Sequence, residues 1–523
     1  MSVLTGWADG VEAAAVGPEQ LSDALGRDRV LLRERLDGVV NRSDVQRALS
    51  VASPDLLDAR RDRGDDPGVV AALVRYVSRM ASRPTPYGTF AACGVGVIGE
   101  GTRIEVPDPE AWQAHTQLDA DYLDAVVRDA SARLRARLRF RTNDSLHLMG
   151  GRWRYVESRL EGLERSYRLL QVADSKHLQR ALEAARDGAT LAAVADAVAV
   201  GGVDADRAAA YASQLADAQV LVPSLALTLT GPPPLDALIA DLESLGDEET
   251  VSTLAAVRDD LTDRGLDYDR LAARLASSLP PTVDRARLFH VTLTVPPCGA
   301  TLGRSMVEDV ARAVELLRGM APAREDTELD AFRDAFQERY DELEVPLLEA
   351  LDEELGIGFG AESARPDPVP LLDGLRFPGR SRSQSSFGPR EVRLLELLHR
   401  AWTDAAHEVA LSAADVEALA GDDEPPPLPA ALAATAVLAR TTEGPRVVVT
   451  GADGPSGARL LGRFCHTDPE LARHVREHLR AEEALDREAV YAEIVHLPTG
   501  RLVNVVARPV LRDHELEWLG RSG

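Results

Sequence analysis

One residue type is almost missing. Of 59 basic residues, all but Lys176 are arginine. Nucleotide composition alone can produce that bias, so it points to no function by itself. Cysteine is scarce too: Cys93, Cys298 and Cys465 are far apart, odd in number and form no CxxC pair. That excludes a disulfide framework and a cysteine zinc site, and fits a reducing compartment. Aromatics make up only 4% of the chain. No run approaches the roughly 18 uncharged apolar residues of a membrane-spanning helix. The start, "MSVLTGWADGVEAAAVG", has no basic region and no long apolar core, so it is no signal peptide, and a cytoplasmic location is expected. Walker loop, GxSxG elbow and HExxH are all missing. "GVGVIG" (94–99) matches GxGxxG, but "EGTRIEV" after it reads as a strand. A dinucleotide site needs a helix there, so a Rossmann reading is rejected.

What is present starts with acid. The 523 residues carry a net charge of −26, which argues against an extended nucleic-acid surface but allows a local basic cleft. Such a length suggests two to four domains or one large irregular one. "DDPGVVAALVRYVSRMASR" predicts an amphipathic helix, with Val70, Leu73, Val74, Val77 and Met80 inward, Pro67 near its start and Pro84 ending it. Arg75, Arg79 and Arg83 then stack along one helix face, where like charges repel and an anion is the natural partner. "TFAACGVGVIG" and "TRIEVP" read as strands and 118–137 as a helix. "RLRARLRFR" (133–141) alternates, which puts Arg133, Arg135, Arg137, Arg139 and Arg141 on one strand face. That face suits either phosphate or solvent. Its second half is expected to pair with "GGRWRYVES" across Gly150 and Gly151.

Residues 164–230 read as a strand, three helices ("KHLQRALEAARDG", "TLAAVADAVAV", "ADRAAAYASQLADAQ") and an extended tail. This is a winged-helix pattern, and its alanine-rich, acidic helices suit a peptide adding to a sheet edge better than DNA. Helices are expected over 234–278, 303–320, 327–355, 389–404 and 412–420, with a strand at "LFHVTLTV" and a mobile loop over 361–390. The last hundred residues read as α+β. "PRVVVTG" is a strand, 468–484 a helix, and "YAEIVHLPTGRLVNVVARP" a hairpin around Thr499-Gly500. His466 beside Cys465 is read as coincidence, since adjacent side chains diverge, and His290 and His496 as packed strand residues. The glutamates from Glu342 to Glu354 read as a solvated face.

"SRPTPYGTF" closely resembles the S-R-x-T-P-aromatic-G segment of lantibiotic dehydratases. "ALSVASPDLL", "EVPLLEALDEELGIGFG", "LLGRFCHTDPEL", "YAEIVHLPTGR" and "RPVLRDHELEWLG" resemble the same family in the same order. The resemblance implies an α+β fold: a large mixed glutamylation region with an embedded winged-helix peptide-recognition module. It implies three parts: residues 1–149, the leader-recognition element at 150–230, and 231–523. Family enzymes transfer glutamate from glutamyl-tRNA, the co-substrate, to Ser or Thr of a ribosomally made precursor peptide. A separate domain then eliminates glutamate. No other cofactor and no metal are expected. By resemblance Arg79, Arg83, Thr85, Asp119 and Arg463 match functional positions, and Arg75 and the 133–141 arginines become tRNA-binding candidates. Read without the family, Asp119 is a helix cap and Arg463 a surface residue.

Departures qualify the match. Thr292 stands where the family carries aspartate, the arginine-proline segment that usually opens the family is missing, and the chain stops soon after "LRDHELEWLG" without an elimination domain. The expectation is a component of a split dehydratase. It would bind leader peptide and tRNA, and pair with a partner protein through apolar residues near its end (Leu511, Leu516, Trp518, Leu519). The alternatives are a peptide aminoacyl-tRNA ligase and a non-catalytic leader-peptide scaffold. No general base can be named from sequence.

Overall fold

The structure, a computed structural model, describes residues 7–83, 88–161, 164–262, 266–296, 299–321, 327–352, 355–359, 388–421, 425–442, 444–497 and 503–523. Thr85, Cys298, the Thr499-Gly500 turn and most of the 361–390 loop lie outside them. Helices and strands are mixed throughout, as expected of an α+β chain.

Four helices come first: α1 (Leu21–Val40), α2 (Ser43–Ala52), α3 (Pro54–Arg63) and α4 (Pro67–Ser82). They share a small core that includes Leu36, Leu49, Leu73 and Val77. The start of α4 follows from local chemistry. The Asp66 side chain accepts from the Gly68 and Val69 amides, and Pro67 takes the first helical position, where no donor is needed. Val69, Leu73 and Val77 are its buried residues; Val74, expected inward, is exposed. Arg83 leaves the helix in an extended conformation ahead of Pro84.

β1 (Gly88–Cys93), β2 (Val97–Gly99) and β3 (Gln113–Leu118) lead into α5 (Ala120–Arg133). "TRIEVP" is not a strand and makes only an isolated bridge, Arg103 to Thr301. The alternating arginine strand is also absent. α5 runs to Arg133, a turn follows, and β4 spans only Arg139–Thr142. Leu134 and Leu138 are buried four residues apart, the spacing of a helical turn. β5 (His147–Met149), β6 (Arg152–Glu161) and β7 (Glu164–Ala173) form an antiparallel sheet in that order. Its first turn is Gly150-Gly151, both at positive φ, so the expected hairpin exists, but with 147–149 rather than with the arginine segment as partner.

The three expected helices follow: α6 (Lys176–Ala185), α7 (Leu191–Ala199) and α8 (Ala205–Asp217), capped by Ser175, Thr190 and Asp204. Lys176 is exposed at the first position of α6, three residues after β7 ends. β8 (Ala189–Thr190) and β9 (Leu221–Pro223) flank β4 in a three-stranded sheet.

Then come β10 (Thr228–Thr230), α9 (Pro234–Ser244), α10 (Glu248–Leu261), α11 (Tyr268–Ser278), β11 (Phe289–Thr294), β12 (Thr301–Gly303), α12 (Arg304–Gly319), α13 (Glu328–Tyr340) and α14 (Leu347–Ala350). The helix expected over 327–355 is thus broken, with Asp341 at positive φ just after α13. α15 (Pro389–Thr403) and α16 (Ala413–Ala420) precede the paired strands β13 (Ala433–Thr441) and β14 (Gly444–Asp453). The chain finishes with α17 (Pro469–Glu483), β15 (Ala492–His496), α18 (Val503–Val506), β16 (His514–Trp518) and β17 (Arg521–Ser522). "LVNVVARP" therefore contains a short helix, and the parallel partner of β15 is β16. Among the described residues β15 pairs with β16 and with no strand from 503–509, so the expected hairpin is not found there.

The main core runs without a break from Leu118 to Leu288 and takes in Val495 and Val503. The final residues fold back onto it. β17 pairs with β10, Arg521 bonds Asp241 at 2.7 Å, and the Gly523 amide donates to the Thr230 carbonyl. Leu511 is buried, and Leu516 alone of the four apolar residues expected to be open there is exposed.

Candidate functional site

The site is built on a three-stranded sheet of order β1-β11-β3. Thr292 is its hub: buried in β11, with Gly88 of β1 on one side and His115 of β3 on the other. Gly88 directly follows the segment that carries Arg83 and Thr85. Asp119 follows β3 and caps α5, its carboxylate accepting from the Asp121 amide at 3.0 Å, and is 1% exposed. Arg463 lies in a short 3₁₀ turn, Gly462–Phe464, electrostatically coupled to Cys93 at the far end of β1. From Phe289, opposite Leu118, to Thr294, opposite Cys93, is five residues, or about 17 Å along the strand. Asp119 and Arg463 thus sit at opposite ends of one sheet.

Beside β3 lies a cavity of about 630 Å³. All six β3 residues line it, together with Arg47 of α2, Met80 of α4, Thr89 of β1, Tyr268 of α11 and His466. Arg79, Arg83, Asp119, Thr292 and Arg463 are not on its wall; Met80, Ala120 and Leu293, which adjoin Arg79, Asp119 and Thr292 in the chain, are, and so are Thr89, six residues after Arg83, and His466, three after Arg463. The segments singled out in the sequence converge here, whereas the residues themselves are off the wall.

The lining has its own chemistry, which sequence reasoning missed. His466 Nε2 lies 2.9 Å from the Gly231 carbonyl, which can only accept, so this nitrogen carries the hydrogen. Burial holds the ring below its ordinary pKa. The neutral form is favoured, and Nδ1 is then a proton acceptor with no hydrogen-bond partner among the described residues. His115 is likewise pushed toward neutrality by burial and bonds the Thr294 hydroxyl at 2.9 Å. Burial raises the Tyr268 phenol, so it stays protonated, 3.2 Å from the Thr116 hydroxyl. The buried Thr89 hydroxyl has no partner among the described residues. Arg47 makes no ion pair among them, whereas Arg42 is held by Asp44 at 2.6 Å, which lowers that carboxyl. Adjacency to Cys465 gives no hint of this role; the signal is a contact with Gly231, 235 positions away.

The expected arginine sites divide. On α4, Arg75 is exposed without an acidic partner among the described residues, and Arg79 is half-buried. Arg463 is half-buried over the Phe464 ring at 4.7 Å, and burial lowers its pKa. The 133–141 set does not form the single basic face expected of it. Arg133 bonds Asp129 and the buried Asp247, Arg135 bonds Asp217, and Arg141 bonds Asp144 and Glu517. Arg137 and Arg139 bond backbone carbonyls. Among the described residues no cluster could hold a metal ion, and no helix is long and apolar enough to cross a membrane.

Comparison with known proteins agrees with the resemblance. The family described as "Lantibiotic dehydratase, N terminus" matches residues 41–523. The subtilin biosynthesis protein SpaB of Bacillus subtilis is 23% identical over 131 residues, covering 25% of this chain and 12% of SpaB. The crystal structure of the tRNA-dependent lantibiotic dehydratase MibB from Microbispora sp. 107891 superposes with a TM-score of 0.72 at 22% identity, over 93% of this chain and 49% of MibB. The TbtB glutamylation domain from thiomuracin biosynthesis, bound to 5'-phosphodesmethylglutamycin, gives 0.50 at 19% identity, over 93% of this chain and 63% of that one. The chain therefore spans about half the length of MibB. With a match over nearly its whole length, the chain belongs to the lantibiotic dehydratase family, in that family's N-terminal region.

Proposed function

We propose that this chain performs the glutamylation step of a peptide dehydratase. It transfers the glutamyl group from glutamyl-tRNA to Ser or Thr hydroxyls of a ribosomally made precursor peptide, and elimination is a separate, later step. The observation that carries this reading is the cavity beside β3, where the segments bearing Arg83, Asp119, Thr292 and Arg463 meet. The peptide hydroxyl oxygen attacks the ester carbonyl of glutamyl-tRNA. A new ester bond forms and the ribose oxygen leaves. His466 Nδ1 takes the hydroxyl proton and returns it to the ribose oxygen. The ester is already activated, so positioning and charge supply much of the rate. Arg75, Arg79 and Arg83 meet phosphates of the acceptor end, and Arg47 meets the glutamyl carboxylate, since arginine bonds either anion in bidentate fashion. The three helices α6 to α8 and the open edge of β7 hold the leader peptide as a winged-helix-type module.

Mass spectrometry of precursor peptide incubated with glutamyl-tRNA tests this, with and without a candidate elimination partner. Added glutamate is expected, and Arg83→Ala should abolish it. Thr292 in the aspartate position favours a second reading, a non-catalytic leader-peptide scaffold. Tight leader binding with no transfer in any combination would select it.

A further inference from the structure

We infer that the outer edge of β3 is a docking strand, on which a Ser/Thr-bearing segment of the substrate peptide lies extended inside the cavity. This rests on the proposed transferase reading and adds how the acceptor is presented. The Asp119 amide donates to the Leu288 carbonyl at 2.8 Å, and the β3–β11 ladder continues without a shift from there, Leu118 opposite Phe289 to Gln113 opposite Thr294. Hydrogen-bonded pairs alternate in an antiparallel ladder, so residues 113, 115 and 117 face β11. The Val295 amide bonds the Cys93 carbonyl of β1, which confirms the alternation from the other side of β11.

The N–H and C=O of Ala114, Thr116 and Leu118 therefore point away from the sheet. β3 is an edge strand, and none of these groups finds a protein partner among the described residues. All three residues line the cavity. Open strand edges are usually blocked by charge, proline or a bulge; β3 carries none of these. Three donor–acceptor pairs repeat over about 14 Å, a length that matches five residues of added strand. Alternating N–H and C=O at this period is the complement of another peptide backbone, not of a sugar-phosphate chain. His466 lies on the wall of the same cavity, so the docked strand and the proton acceptor share one enclosure.

The test is amide hydrogen exchange at residue resolution on the full chain. The probe is an acetylated, amidated five-residue peptide of alternating threonine and valine. Exchange at Ala114, Thr116 and Leu118 should slow with this peptide and not with its fully N-methylated analogue. Proline is tolerated on an edge where its missing donor faces outward. Ala114→Pro should therefore fold and weaken peptide binding roughly three- to tenfold, with affinity for a non-hydrolysable glutamyl-tRNA analogue unchanged. Gln117→Pro, whose lost donor faces β11, should destabilise the protein. Slowing by the tRNA analogue alone would assign the edge to the acceptor end and overturn the inference; so would no slowing by either probe. Transfer of labelled glutamate is scored separately. Transfer with an unprotected edge defeats the docking alone, and protection without transfer defeats the transferase reading alone.

Discussion

His466 carries the sharpest test at the residue scale. Its half-buried ring titrates below the roughly 6.5 of an unfolded histidine. As pH falls, the unfolded chain takes up the proton first. The stability from the neutral ring is complete above about 6.5 and is lost as pH drops through the folded value. Transfer should therefore rise with pH through an inflection below 6.5. His466→Gln keeps an N–H donor for Gly231 but no proton acceptor. We expect it to lower the rate by roughly 10²–10⁴-fold, to remove the inflection, and to flatten acid unfolding measured by circular dichroism. Asp119 poses a different question, because it caps α5 whatever else it does. Asp119→Ala should cost about 0.5–2 kcal/mol in urea unfolding. Asp119→Asn keeps a good cap and should recover most of that stability while transfer stays impaired. A fully active Asp119→Asn would leave Asp119 a helix cap and nothing more.

Elements explain both what the sequence disclosed and what it hid. α4 was legible because each end has a local cause, Asp66 with Pro67 at one and Pro84 at the other. The three helices of 176–217 were legible for the same reason, each opening on Ser, Thr or Asp. The 133–141 stretch misled because Leu134 and Leu138 fit a helical turn as well as a strand, and only the tertiary partners Asp247 and Asp217 decide. The cavity was illegible because its wall draws on α2, β3, α11 and His466, which no short window contains. Two classes of arginine should separate in filter-binding titrations with tRNA. Arg75→Ala should lower the slope of log K against log salt by about 0.7–0.9, whereas Arg135→Ala should leave it unchanged. Arg133→Ala should instead destabilise by about 1–3 kcal/mol, because Asp247 is left buried without its partner.

For the whole molecule the governing fact is a net charge of −26 on a protein proposed to hold a polyanion. Long-range repulsion and short-range attraction then respond oppositely to salt. The Debye length is about 30 Å at 0.01 M and about 10 Å at 0.1 M. Diluting salt lets the acidic body repel tRNA beyond the reach of the α4 arginines. Affinity should therefore peak at intermediate ionic strength rather than climb steadily as salt falls; fluorescence titrations of glutamyl-tRNA across that range check this. The lone lysine has a practical consequence at this scale. Lys176 is exposed where β7 hands over to α6. Apart from the chain's own amino terminus it is the one amine an acylating dye can find. A fluorophore coupled there would sit a few residues from the open edge of β7, so the wild-type protein, without any engineered cysteine, carries its own address for a reporter of leader-peptide capture.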